Sequence, residues 1–217
     1  MKMNDCVSVF DRDGVLTTPQ ILDDIRLKEI IGSCEDSISD IVGTRNLLTY
    51  AWAARLAEEL KVHPEIRPIL GSNSRVIQCN YFSKNTDNNW YVTLHRDLSI
   101  PVAEKIKSEN WSGWSIKEGQ LYAQPPRRVL ESLVAIRVHF EDNDEDNGAL
   151  QVIRGSHKTN SENKNTIVCR VEAGGAVIIS PLILHKSSKL KSGCRRVLHF
   201  IFGPYSLPEG ASWPAGN

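Results

Sequence analysis

The chain has 217 residues, enough for one domain with a sizeable core over residues 1–217 and short for two. Apolar residues make up 41% and charged residues 24%, and 26 basic side chains balance 26 acidic ones, which predicts a soluble globular protein with no electrostatic footprint for nucleic acid or an anionic membrane. No apolar run approaches a membrane span, no signal peptide is visible, and the five scattered cysteines form no C-x-x-C pair, so the cytoplasm is the expected compartment.

In chain order, the first feature is Val7-Ser8-Val9-Phe10-Asp11-Arg12-Asp13-Gly14, which looks like the first motif of haloacid-dehalogenase-type phosphatases, with Asp11 as phosphoryl acceptor, Asp13 as acid/base and bound Mg²⁺. That fold needs alternating strands and helices, which the second half of the chain does not offer, and the plain reading is a turn at Asp13-Gly14 before the first helix. A helix is expected over 19–31, with Thr18 as N-cap, Pro19 at its first position and Gly32 as its stop. A second, over 46–60, carries an apolar stripe through Leu47, Leu48, Ala51, Trp52, Leu56 and Leu60. The helical region therefore spans about 18–62, and a β core spans about 75–203. Strands are expected over 75–82, where Val76 beside Ile77 breaks the alternation, and over 90–94, 133–140, 149–153, 166–171, 176–179 and 196–202. The segment 101–126, with Trp111 and Trp114, fits none of these and reads as an insertion or lid over the sheet mouth. Helices followed by many short strands predict a mainly β fold with flanking α-helices, an antiparallel jelly roll with helices packed on one side.

His95-Arg96-Asp97 places an imidazole and a carboxylate two apart after an apolar run, so on a strand both point to one face. His185, after a further apolar run, supplies a third ligand. Two histidines and one carboxylate make a facial triad with open positions. The set favours Fe(II) over structural zinc and leaves zinc, nickel and manganese open. Ten residues on, Arg195 and Arg196 begin a strand-like run where an arginine can clamp the carboxylate of a keto-diacid cosubstrate. By alternation Arg195 shares a face with Val197 and His199 and is expected inward, with Arg196 as the second choice.

These residues, with Asn89-Trp90, Gln124-Pro125-Pro126, Arg137-Val138-His139, Asn147-Gly148, Gly155-Ser156-His157 and Leu184-His185-Lys186-Ser187-Ser188, resemble the phytanoyl-CoA dioxygenase family from about residue 47 to 203. The resemblance implies a double-stranded β-helix of the cupin-like kind. It implies iron held by His95, Asp97 and His185, and 2-oxoglutarate held by Arg195 and Ser187, with no catalytic residue beyond the ligands. It also implies a dioxygenase that consumes O₂, releases succinate and CO₂, and hydroxylates a small organic molecule. A non-catalytic cupin-like binding module is the rival reading. Relatives place Gln where Arg96 stands and Pro where Arg154 stands; Arg96 is expected to point away from the metal.

Among other polar residues, Asn80, Lys84 and Arg137 sit where inward-facing groups can meet cosubstrate or substrate, with Gln78 on the face of Asn80, though each alone is more often a structural hydrogen-bonding residue. His139 is expected as a satisfied core histidine, His157 as a turn-fixing residue, His199 as pocket wall or packing, and Trp111 and Trp114 as core. The acidic run 141–146 lacks the spacing of an EF-hand loop and reads as a solvated hairpin.

Overall fold

A computed structural model describes residues 3–38, 42–159 and 166–214. The chain begins with α1 (Met3–Asp13), β1 (Val15–Gln20), α2 (Asp24–Ser37) and β2 (Gly43–Thr44). A 3₁₀ turn (Leu47–Thr49) then leads to α3 (Ala51–Val62) and α4 (Arg67–Leu70). Strands follow as β3 (Arg75–Lys84), β4 (Val92–His95), β5 (Ile100–Pro101), β6 (Ser112–Lys117) and β7 (Gln120–Gln124). After α5 (Arg127–Glu131) come β8 (Val134–His139), β9 (Leu150–Val152), β10 (Ile167–Val168), β11 (Gly175–Ile179), β12 (His185–Ser187) and β13 (Arg195–Gly203).

Two sheets form the body: six strands in the order β1-β11-β8-β13-β3-β2, and four in the order β10-β9-β12-β4. Strand alternation splits the large sheet between two cores. Ile136, Val138, Ile178, Leu198 and Phe200 pack outward against Leu27, Ile30, Leu56 and Leu60 of the helices. Ala135, Val177, Ile179 and Ile201 pack inward with Leu150 and Val152 of the small sheet and Ile183 of the loop before β12. The irregular Val76-Ile77 pair is a β-bulge, since the register to β13 shifts between Ile201↔Gln78 and Phe202↔Val76. The bulge buries Ile77 on the inner side and still lets Gln78 line the cavity there.

Several expectations need correction. The helix expected over 19–31 starts later, because residues 15–20 pair with β11 as an edge strand and bury Thr18. Asp23, not Thr18, is the N-cap, its side chain accepting from the Arg26 N–H at 2.8 Å, and Gly32 lies inside the helix. The helix expected over 46–60 is broken at Tyr50, which leaves the 3₁₀ turn separate from α3. Asp13-Gly14 follows a helix instead of preceding one: Gly14, at φ 72°, donates to the Phe10 carbonyl at 2.7 Å. The 101–126 segment, expected as an insertion or lid, carries the small sheet β5-β7-β6, and Trp111 is core as expected, with Trp114 packed against that core.

Candidate metal centre and its cavity

The register sets His185, the first residue of β12, directly opposite His95, the last of β4. Their ring centroids lie 4.2 Å apart. His95 Nδ1 is 2.8 Å from the Thr93 carbonyl oxygen and His185 Nδ1 is 3.0 Å from that of Ile183. A carbonyl oxygen only accepts, so each Nδ1 carries the proton and each Nε2 lone pair is left for a Lewis acid. Both Nε2 atoms face Asp97, at 3.5 Å from Oδ1 and 3.7 Å from Oδ2. One donor atom from each residue falls within 4.8 Å of the others. Three acceptors aimed at one point repel unless a cation joins them, and two imidazoles with a carboxylate, without thiolate, suit a divalent first-row ion such as Fe(II).

Electrostatics agree with this geometry. Desolvation in the cavity raises the Asp97 carboxyl. Contact with His95 in its protonated form more than reverses this, holding it below the ordinary carboxylate range. The same Asp97 contact holds His95 above its usual value, whereas burial pushes His185 down.

Asp97 does not reach the centre by strand alternation, because β4 ends at His95. Its backbone N–H instead donates to the Pro181 carbonyl at 2.9 Å, which ties it to the segment leading into His185. Arg96 points away, as expected, and braces that same segment. Its Nε donates to the Leu182 carbonyl at 2.8 Å and its Nη2 to the Ser156 carbonyl at 2.9 Å. Ser156 Oγ in turn accepts from the Leu184 N–H at 2.8 Å. One arginine thus links the Gly-Ser-His turn to the loop that carries the distal ligand.

A cavity of about 380 Å³ opens beside the three side chains and is also lined by Arg195 and Ser187. Arg195 is buried and its Nη1 donates to the Gly148 carbonyl; burial and the charge of Arg137 push it down to about 9. Arg196 faces outward, held by Glu141 at 2.6 Å and Glu35 at 2.6 Å and stacked over Phe140. Ser187 Oγ accepts from Lys84 Nζ at 3.0 Å. Lys84, fully buried, is pushed down to about 7 by burial and by the charges of Arg195 and Arg137. Arg137 Nη1 donates to His199 Nδ1 at 2.9 Å, so that histidine is a neutral acceptor, driven down to about 3 by burial and Arg137. These side chains meet because β13 pairs Arg195 with Lys84 and His199 with both Asn80 and Arg137.

The inner wall is more cationic than the sequence suggested. Arg137 Nε and Arg195 Nε find no partner among the described residues. His139 is buried as expected but not satisfied: neither ring nitrogen has a partner among the described residues, and burial with Arg137 and Arg195 keeps the ring neutral. Sequence reasoning also passed over Arg45, which follows β2, and over Lys117 and Tyr122, which line the cavity from the third sheet. Nothing local marks them, since their position follows from how β6 and β7 fold back.

The remaining candidates lie elsewhere. His157 Nε2 is 3.1 Å from the Asp11 carbonyl oxygen, fixing the end of α1 to the Gly-Ser-His turn. The Val7–Phe10 stretch is helical, so Asp11 and Asp13 do not crown a strand, and Asp13 pairs with the neighbouring Arg12 at 2.8 Å. The phosphatase reading loses its structural context. The acidic run closes locally, Asp144 Oδ1 accepting from the Asp146 N–H at 2.8 Å, and Glu145 pairs with Arg170.

A family model described as phytanoyl-CoA dioxygenase matches residues 10–198. No curated protein matches significantly. Among solved structures, HygX from Streptomyces hygroscopicus with iron bound is 16% identical, covering 97% of this chain and 94% of its own, at a TM-score of 0.68. The non-heme alpha ketoglutarate dependent epimerase SnoN from nogalamycin biosynthesis is 12% identical, covering 99% and 84%, at 0.72. The carbocyclase SnoK from the same biosynthesis is 12% identical, covering 97% and 85%, at 0.67. At such identities the likeness speaks for the fold, the double-stranded β-helix expected from the sequence.

Proposed function

Because the chain belongs to the phytanoyl-CoA dioxygenase family, we propose that it is an Fe(II)- and 2-oxoglutarate-dependent dioxygenase acting on a small organic molecule, with His95, Asp97 and His185 as the iron ligands. The observation that carries the ligand assignment is the pair of carbonyl-locked imidazoles whose Nε2 atoms converge on one carboxylate. Iron with 2-oxoglutarate and O₂ supplies the oxidising power, giving succinate and CO₂ as a substrate C–H bond is hydroxylated. Solved structures of HygX hold nickel with 2-oxoglutarate, and in one case hygromycin B as well, which supports a diacid cosubstrate beside a small-molecule substrate.

The chain's own residues divide the work. Thr93 and Ile183 carbonyls hold the imidazole tautomers, and Arg96 fixes the loop before His185. Arg195, buried and short of partners, receives the distal carboxylate of 2-oxoglutarate by charge-assisted hydrogen bonds, with the Ser187 hydroxyl beside it. Lys84 and Arg137 add positive potential that a dianion relieves. Leu150 lines the cavity from the small sheet, and Val197 is buried on β13 between Arg195 and His199; both limit water there. The cysteines are free, as suits a reducing compartment, and the cytoplasm is the proposed location; among the described residues no helix is long and apolar enough to cross a membrane.

The test is an oxygen-free titration of the purified protein with Fe(II) and 2-oxoglutarate, read by the weak visible charge-transfer band of the chelate. The wild type is expected to form the band, His185→Ala to lose it, and Arg195→Ala to need much more 2-oxoglutarate. A wild type without the band, or a His185→Ala variant that keeps it, would overturn the assignment.

A further inference from the structure

The outer wall of the cavity is built by the β6–β7 hairpin, whose shape is set at its turn. Lys117 pairs with Gln120 across a two-residue loop, and both loop residues have positive φ, Glu118 at 49° and Gly119 at 78°. That is the signature of a hairpin turn twisted like its strands, but a glutamate in this conformation is strained by roughly 1–3 kcal/mol. The strain is offset by a latch. The Glu118 carboxylate accepts from Thr44 Oγ1 at 2.8 Å, from the Arg45 N–H at 2.8 Å and from Arg45 Nη1 at 2.9 Å. The hairpin is thereby pinned to the segment between β2 and the 3₁₀ turn.

The latch has two consequences for the cavity. It balances the charge of Arg45, and it presents Lys117, the residue before Glu118, to the cavity with no carboxylate partner among the described residues. The Lys117 ammonium lies 4.8 Å from the centroid of the Tyr122 ring. Tyr122 Oη accepts from Gln78 Nε2 at 2.7 Å, which leaves its own proton to be donated elsewhere. Among the described residues lining the cavity Asp97 is the only acid, and it belongs to the proposed metal centre.

We propose that this mouth selects a substrate bearing one anionic group, a carboxylate or a phosphate, received by the Lys117 ammonium and the Tyr122 hydroxyl. The proposal rests on the iron and 2-oxoglutarate reading above, which commits Arg195 and Ser187 to the cosubstrate. A cationic substrate would meet the Lys117 ammonium, which has no carboxylate partner among the described residues, while the acid lining the cavity, Asp97, is already engaged. A neutral one would leave a half-buried ammonium desolvated without compensation. Burial and the charge of Arg45 already disfavour the charged form of Lys117, and an incoming anion reverses that tendency. At about 380 Å³ for cosubstrate and substrate together, the cavity lies at the small end of ligand pockets, so the group recognised is borne by a small molecule or by the inserted end of a larger one.

The experiment uses the protein loaded with Fe(II) and 2-oxoglutarate under argon. The charge-transfer band is checked first, and its absence would sink the iron reading before any probe is added. Hexanoate, hexyl phosphate, hexanamide and hexylammonium are then titrated by calorimetry, with 3-phenylpropionate, its amide and its amine as an aromatic set. At least one anion is expected to bind tenfold or more tighter than its amide, and the acid and phosphate arms tell carboxylate from phosphate selection. Lys117→Gln should abolish that preference and Lys117→Arg should retain it, with the band in both variants reporting an intact inner site. The proposal is overturned if no anion binds, if amide or ammonium binds as well as the anion, or if the preference survives Lys117→Gln.

Discussion

Arg96 stands between two proposed ligands, and its two hydrogen bonds to the Leu182 and Ser156 carbonyls explain how an arginine is accommodated there. Groups that orient ligands without touching the metal are worth roughly 10–100-fold in metal affinity. Arg96→Leu is therefore expected to weaken Fe(II) binding by about that factor while the circular dichroism spectrum stays native. Unchanged iron affinity would show that the loop before His185 holds itself. Lys84 offers a test of the cationic wall. Its folded value of about 7 lies below the ordinary 10.5, so between those limits the unfolded chain binds more protons than the folded one. Stability of the ligand-free protein should rise with pH across that window, and the burial cost is carried in full below about 7. Urea midpoints compared between wild type and Lys84→Met should show a steeper rise in the wild type; parallel curves would remove Lys84 as the source. Legibility at this scale was uneven. His95, Asp97 and His185 could be named as candidates from spacing together with the family resemblance, and the inward side of Arg195 from alternation, whereas the unsatisfied state of His139 could not, because it depends on what lies across the sheet.

Turns between strands carry as much of the site as the strands do. Gly148, at φ 73°, ends the acidic hairpin, and its carbonyl accepts from Arg195. A Cβ there would lie 2.6 Å from the Ser188 carbonyl oxygen, a backbone atom that cannot swing aside. Gly148→Ala is expected to cost about 1–3 kcal/mol or more in urea unfolding, from the φ strain and the clash together, and to loosen 2-oxoglutarate binding through Arg195. A change under about 0.5 kcal/mol would mean that the turn shifts freely. Element types were readable where hydrophobic period and punctuation agreed, as in β8, β11 and β13. They were misread where a strong local signal competed with a tertiary one. Thr18-Pro19 looks like a helix start, yet residues 15–20 gain more by completing the edge of the large sheet beside β11. Pro19 is tolerated because an edge strand can spare an N–H.

For the molecule as a whole, the two facing sheets form a frame that concentrates Arg137 and Arg195 along one inner wall, with the buried Lys84 on Ser187 beside them. A dianion and a divalent ion that bind the folded form alone should stabilise it by mass action, about 2.7 kcal/mol at a hundred times the dissociation constant. Thermal melts with Ni(II) and 2-oxoglutarate should shift upward together in the wild type and fail to respond to the metal in His185→Ala. A wild-type melt indifferent to both would contradict the proposed centre. What could be read from residue order was everything carried by short periods and by short-range spacing: the β core, the apolar faces, the H-x-D pair as a candidate and the inward arginine. Two things came from the fold alone. Cross-strand register placed His185 opposite His95 and Lys84 opposite Arg195, and the return of β6–β7 brought Lys117 and Tyr122 to the mouth. Both join residues far apart in the chain, and no local propensity records which strands will become neighbours, because that choice is made by burying two sheet faces at once.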